Sequence, residues 1–405
     1  MINIAVLGYG TVGSGVVEII RTNQDIINGK SGQDINLKYV LDLRDFPGDP
    51  VEKILVHDYK EILDDEDVQI VVEVMGGVNP AYSFVKDALL AGKSVCTSNK
   101  ELVAKHGAEL IAIAKEKNIN FFFEASVGGG IPIIRPLNEC ITADEILEIS
   151  GILNGTTNYI LTKMEKEGLE FASVLKEAQD LGFAERNPEA DVEGYDAGRK
   201  VAILSSLACE KQVDFEDIYT EGITKITDTD FKYAAKLGVS IKLIGSSKKV
   251  GDKYCAMVTP KMLPYAHPLA GVNGVMNAIF VKGNVLGDVM FYGAGAGKLP
   301  TASAVVSDIV AAARHINENV ETKWDAAKAD LIDVSDSVTR FFVRISGNES
   351  DRLDAVNAAF GQCELVKADG VTGEFAVVTP AISEGEYTKA AAALEGIISK
   401  IRIEK

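Results

Sequence analysis

The first third of the chain alternates short apolar runs with stretches of helical periodicity. Residues 2–7 and 37–43 read as strands, and 68–75 (VQIVVEVM) is a continuous apolar run. Further strands are expected at 94–97 and 120–124, and helices after residue 13, over 80–91 and over 107–117. A continuous apolar run bounded by turn residues marks a strand buried on both faces. Strict β–α alternation of this kind predicts a doubly wound parallel sheet.

Beyond Pro136 the pattern changes. A strand over 145–153 leads into helices over 158–167 and 171–181, then a loop rich in Pro and Gly, then an apolar helix over 197–210. Strands at 241–244, 254–261, 275–281 and 289–292 complete an α+β block that can cover a dimer interface. A helix capped by Thr301 or Ser303 runs to about residue 313. After a polar stretch (318–335), residues 339–345 alternate as a strand, 353–360 read as helix, 363–368 and 374–379 as strands, and 386–401 as helix. That βαββα order suits a small ferredoxin-like unit of the ACT type.

The net charge of −18 argues against a nucleic-acid or anionic-membrane surface. Any anionic ligand must be held by local amides and a few basic residues. Five cysteines lie far apart with no CxxC pairing, and the four histidines are scattered, so reduced thiols in a cytoplasm and no zinc site are expected. The chain opens on a strand, so no signal peptide is expected, and no apolar run reaches the ~18 residues of a membrane span.

Candidate chemistry lies at the ends of the first strands. Gly8, Gly10 and Gly13 form G-x-G-x-x-G, with Thr11 and Val12 between them, directly after one strand and opening a helix. The glycines permit a tight turn and close approach to a pyrophosphate at the helix N-terminus, so this is a dinucleotide-binding fingerprint. The second strand ends in Asp42, Arg44 and Asp45. An acid there would hold ribose hydroxyls, as in NAD, and an arginine would meet the 2′-phosphate of NADP, so the choice stays open. Thr97, Ser98 and Lys100 lie at another carboxyl end, where ligands bind in such sheets. Gly128, Gly129 and Gly130 followed by Ile131-Pro132 predict a bent crossing segment with exposed carbonyls. A second glycine run, through Gly297 to Pro300, permits close approach of backbone to a ligand.

The most informative stretch is 178–200, AQDLGFAERNPEADVEGYDAGRK. Its turn residues set Glu185, Asp191, Asp196 and Lys200 about a helix start, with Asp196 and Lys200 one turn apart. On spacing alone that pair satisfies an ordinary exposed ion pair as well as a site. The whole segment, however, resembles the signature of the homoserine dehydrogenase family. TSNKELVA (97–104), the Glu124–Ile131 segment, NGTT (154–157) and GAGAG–PTA (293–302) resemble further motifs of that family in the same order.

The resemblance covers about residues 1–320. It implies NAD(P)-dependent interconversion of L-homoserine and L-aspartate 4-semialdehyde, in threonine and methionine biosynthesis. It implies Lys200 as general acid/base, Lys100 as the second catalytic lysine, and Asp196 beside them. Glu185 and Asp191, with Asn154, Gly155 and Thr156, would hold the substrate. Gly8, Gly10, Thr11, Val12, Gly13, Arg44, Thr97, Ser98, Lys100 and Gly297 would hold NADP or NAD. Glu124, Val127, Gly129 and Ile131 would enclose a monovalent cation, sodium. A cytoplasmic homodimer or homotetramer is expected. So are a Rossmann domain over 1–135, rejoined by a helix over 301–315, a substrate and dimerisation domain over 136–300, and an ACT-like domain over 336–405. The turn at 347–353 lacks the Pro-Gly-Val of typical ACT units, so regulation by an amino acid is not expected, and a chain ending near Asp333 is expected to fold and work. Two other readings share part of the pattern: another Rossmann amino-acid dehydrogenase, and a catalytically silent dinucleotide sensor.

Overall fold

A computed structural model describes residues 1–404. The chain begins β1 (Ile2–Leu7), α1 (Thr11–Thr22), α2 (Gln24–Ser31), β2 (Ile35–Leu41), β3 (Leu55–Val56), α3 (Lys60–Leu63), β4 (Val68–Glu73), α4 (Ala81–Leu90), β5 (Ser94–Thr97), α5 (Lys100–Glu116) and β6 (Phe121–Phe122). It continues β7 (Ile146–Ile152), α6 (Gly155–Glu167), α7 (Phe171–Asp180), α8 (Glu189–Val192), α9 (Tyr195–Cys209), β8 (Lys211–Gln212), β9 (Tyr219–Thr220), α10 (Asp228–Leu237), β10 (Val239–Val250), β11 (Lys253–Pro264), β12 (Met276–Gly283) and β13 (Gly287–Ala294). It ends α11 (Lys298–Arg314), β14 (Asp325–Lys328), β15 (Val338–Ser346), α12 (Glu349–Phe360), β16 (Glu364–Val366), β17 (Glu374–Val378), β18 (Ile382–Ser383), α13 (Glu384–Ala392) and β19 (Ile397–Ile403).

The chain divides into two compact units. The first comprises 1–145, 202–215 and 291–329; the second comprises 146–201, 216–290 and 330–405.

The first unit holds a six-stranded parallel sheet in the order β3-β2-β1-β4-β5-β6. That is the doubly wound dinucleotide-binding order. Val6, Val72 and Cys96 from the sheet pack with Val16 and Ile20 of α1 and with Val305 and Ile309 of α11. Helix α11 therefore belongs to this core although it comes far later in the chain. It lies so close to α1 that a Cβ on Gly15 would stand 2.9 Å from both Ala302 and the Lys298 carbonyl. The stretch 318–335 is no simple linker. Trp324 is buried, its ring fills the space beside Gly107 of α5, and its indole N–H donates to Gln212 (3.0 Å).

The second unit is built on a long sheet whose path runs β13-β12-β7-β10-β11-β19-β15-β17-β16. Strands β10 and β11 form a hairpin in register from Val239↔Pro264 to Val250↔Lys253. Its residues 386–401 correct the sequence reading. The helix stops at Ala392, Gly396 adopts φ +73, and Ile397–Ile403 is a strand. The alanines of 390–393 extended the helical signal, whereas IISKIRI alternates with period two. The segment is thus βαββαβ, and its main strands lie in the ferredoxin-like order β19-β15-β17-β16. Strand β19 also pairs in parallel with β11 (Lys261↔Arg402, Met262↔Ile403). Residues 336–405, expected as a domain apart, have a core of their own around Phe341, Phe360 and Tyr387, yet they continue the sheet of the substrate block.

Candidate active site

In the first unit, the G-x-G-x-x-G turn has the features a pyrophosphate requires. A Cβ on Gly13 would stand 1.9 Å from the Gly8 carbonyl, while one on Gly10 would meet nothing within 4 Å. Gly13 is fixed by backbone crowding, and Gly10 by the open space it leaves. Thr11 and Val12 form the first turn of α1, whose N-terminus carries no side-chain cap and so leaves its N–H groups for an anion.

Arg44 forks onto Asp42, with Nε to Oδ1 and Nη2 to Oδ2 both at 2.9 Å. Asp42 also accepts from the Tyr9 N–H (2.8 Å), which ties it to the glycine turn. The Arg44 side chain remains 62% exposed and lies over the Phe46 ring. Its guanidinium holds the Asp42 carboxyl well below the usual range.

Thr97 and Ser98 are held by a residue that sequence reasoning missed. Glu73, at the end of β4, is fully buried. Its carboxylate accepts from Thr97 Oγ1 (2.6 Å) and from the N–H groups of Met75 (2.8 Å) and Gly76 (3.3 Å), while its carbonyl accepts from Ser98 N–H (3.4 Å). Asn99 caps α5 at Leu102 N–H and donates to the Gly77 carbonyl (2.6 Å). Lys100 follows as the first residue of α5, half-buried. The only signal was an acid closing an otherwise apolar strand.

The bent segment 124–131 is buried against the second glycine run. A Cβ on Gly129 would stand 2.2 Å from the Gly295 carbonyl, and Gly130 N–H donates to the Ala294 carbonyl (3.1 Å). Gly297, with φ +120, caps α11. The Glu124 carboxylate is committed elsewhere: it accepts from the N–H groups of Ile133 (2.6 Å), Ile134 (2.8 Å) and Arg135 (2.9 Å). No cluster of three or more His, Cys, Asp or Glu able to hold a metal occurs among the described residues.

The second unit gathers the signature residues. Lys200, 8% exposed, donates from Nζ to the Leu153 carbonyl (2.6 Å) and pairs with Asp196 Oδ2 (2.9 Å). Asp196 is equally buried. Asn154 Nδ2 donates to Asp196 (3.0 Å) and to Asp191 (2.7 Å), while its Oδ1 accepts from Thr157 N–H and caps α6. This is no exposed ion pair. It is a buried ammonium held between a carboxylate and a carbonyl, with a second acid bridged through an amide.

Two expected substrate residues lie differently. Thr156 Oγ1 donates to the Phe183 carbonyl (2.6 Å), so it braces the signature loop. Glu185 is exposed. The loop carries its side chain at the surface, and its backbone carbonyl accepts from Gln179 Nε2 (3.1 Å).

A family model described as homoserine dehydrogenase matches residues 132–310, and one described as homoserine dehydrogenase, NAD binding domain, matches 8–124. The chain is 47% identical over 404 residues to a homoserine dehydrogenase of Bacillus subtilis (strain 168), covering 96% of this chain and 93% of that one. It is 40% identical over 433 residues to one of Mycobacterium tuberculosis (strain H37Rv), covering 100% and 98%. The solved homoserine dehydrogenase of Thiobacillus denitrificans superposes with TM-score 0.90 at 35% identity, over 100% of this chain and 98% of that one. A hyperthermophilic archaeal homoserine dehydrogenase in complex with NADPH has TM-score 0.66 at 31% identity, over 77% of this chain and 97% of that one.

Proposed function

Since the chain belongs to the homoserine dehydrogenase family, we propose the following division of labour for the interconversion of L-homoserine and L-aspartate 4-semialdehyde. The dinucleotide supplies the hydride chemistry. Lys200 holds the proton that the alcohol oxygen loses on oxidation and regains on reduction. Asp196 and the Leu153 carbonyl fix its ammonium, and Asn154 joins Asp196 to Asp191. The buried Lys200–Asp196–Asn154 cluster, set within the segment that resembles the family's signature, supports this reading. Asp191 and Glu185 form the inner and outer acids of the substrate ammonium site, and Gly155 and Thr156 shape the turn beside it. Lys100 is the second lysine, supported by the matched TSNKELVA segment. An assay following nicotinamide absorbance with homoserine and either dinucleotide tests the whole reading, and a chain that binds dinucleotide yet leaves homoserine unchanged would sink it.

Glu185→Gln should raise the KM for homoserine by only about two- to fivefold, the weight of an exposed charge pair, with kcat little changed. A larger loss, or one confined to cofactor affinity, would assign Glu185 another role.

The cofactor is NADP in preference to NAD on our reading. Arg44 cancels the charge of Asp42 and keeps an exposed guanidinium for a 2′-phosphate. Arg44→Ala should then raise the KM for NADP far more than that for NAD. Equal changes would reduce Arg44 to a stacking or structural residue.

The carbonyls of Glu124, Val127, Gly129 and Ile131 are our candidate ligands for a sodium ion, since an all-oxygen set suits a hard cation. The βαββαβ strand order supports an ACT-like C-terminal domain. Five free cysteines suit the cytoplasm, and no described helix is long and apolar enough to cross a membrane. A homodimer or homotetramer remains our proposal for the assembly, to be read from light scattering.

A further inference from the structure

Lys242, on β10, is completely buried and has no carboxylate partner among the described residues. Its Nζ donates to three neutral oxygens: the Val272 carbonyl (2.7 Å), Asn273 Oδ1 (3.0 Å) and Asn158 Oδ1 (3.4 Å). The charged groups that act on it are Glu165 and Lys166, both on α6, and the 272–276 loop offers it only uncharged oxygens. An ammonium in such a setting is costly, because burial disfavours its charge.

The same loop is gripped a second time. Asn158 Nδ2 lies within hydrogen-bond reach of the carbonyls of Val272 (3.2 Å), Gly274 (3.0 Å) and Met276 (3.0 Å), and Gly274 N–H donates to Thr162 Oγ1 (3.1 Å). Loop 272–276 is thereby fastened to α6 and β10. Its Val275 carbonyl in turn lies against the start of α6, where a Cβ on Gly155 would stand 2.7 Å away. Gly155 follows Asn154, which binds Asp191 and Asp196, and Leu153, whose carbonyl receives Lys200. A contiguous path thus runs from the buried amine to the acid/base lysine.

We propose that Lys242 is a positioning residue for the substrate half of the reaction, pinning the 272–276 loop so that the Leu153–Gly155 turn holds Asn154, Asp196 and Lys200 in register. The inference rests on the reading of that cluster as the substrate site. Burial lowers the Lys242 pKa to about 8. A neutral amine has one donor fewer than the three bonds require, so the clamp loosens as pH rises through that value. The unsubstituted enzyme should show a KM for homoserine that climbs on the alkaline side, with the cofactor KM flat.

The experiment compares pH profiles of both KM values for the unsubstituted chain, Lys242→Met and Asn273→Asp, with Lys200→Ala as control. Lys242→Met removes a buried charge but also takes a donor from three oxygens, two opposing effects, so its Tm should move little. Its KM for homoserine should nonetheless rise by about tenfold, below the 10² that a 1 Å misplacement can cost, and should lose the alkaline limb. Asn273→Asp, at a half-buried loop position, gives the amine a carboxylate and should move the limb upward by ~1 pH unit or more. A homoserine profile of Asn273→Asp that superimposes on the unsubstituted one overturns the proposal, whether or not Lys242→Met folds. If Lys200→Ala keeps full turnover, the fault lies in the cluster assignment itself.

Discussion

Lys200→Ala is expected to leave dinucleotide binding nearly intact and to lower turnover by ~10²–10⁴, the ordinary weight of general acid/base catalysis. The ammonium it removes is 8% exposed and bridges Asp196 and the Leu153 carbonyl. The substitution therefore removes the proton carrier and also leaves a buried carboxylate short of its cation. Two measurements separate these effects. Dinucleotide affinity, read by fluorescence titration, should match that of the unsubstituted chain. The Lys200→Ala, Asp196→Asn double variant should recover thermal stability without recovering turnover. Recovery of turnover, or a loss of less than a few-fold in the single variant, would take Lys200 out of the chemistry.

The second large effect reverses an expectation from sequence. A chain ending after Asp333 should not give an active, monodisperse enzyme. It would lack β19, which pairs with β11 at Lys261 and Met262, and so uncover that end of the strand's edge, an opening for aggregation. It would also lose Arg402, which donates to Glu221 (2.7 Å) and Glu384, and Arg344, which links Asp230 (3.0 Å) to Glu374 (2.8 Å). Asp230 is fully buried on α10, and Tyr233 of the same helix packs on Phe342 at 5.5 Å between ring centroids. Size-exclusion chromatography and thermal unfolding of the shortened chain decide the matter. A single sharp peak with the Tm and turnover of the full chain would show that the sheet closes without its last strand.

The features legible in sequence were those whose physics is local. The glycine turn announces itself because Gly13 and Gly10 answer requirements of the next few atoms. The signature segment is legible for a similar reason, as its acids and lysine flank one helix start. What escaped depends on partners distant in sequence. Glu73 looks like an interruption in an apolar strand until Thr97 is seen to donate to it. Lys242 has no motif at all, since loop oxygens some thirty residues onward define its role. Glu185 differs again, for a signature position says nothing of exposure and its side chain lies at the surface. Strand β19 was hidden by an alanine run whose helical propensity outweighed the alternation that follows it.

The packing of α11 on α1 sets a timetable for synthesis. Glu18 and Lys298, which pair across these two helices at 2.7 Å, are 280 residues apart. At roughly 5–20 residues per second, a nascent chain displays the first helix for on the order of 15–55 s before its neighbour is made. During that interval the apolar face of the opening segment waits uncovered beside the ribosome, a natural client for a holdase. The cofactor unit, first to be started, cannot close until its last segment, 291–329, has been made.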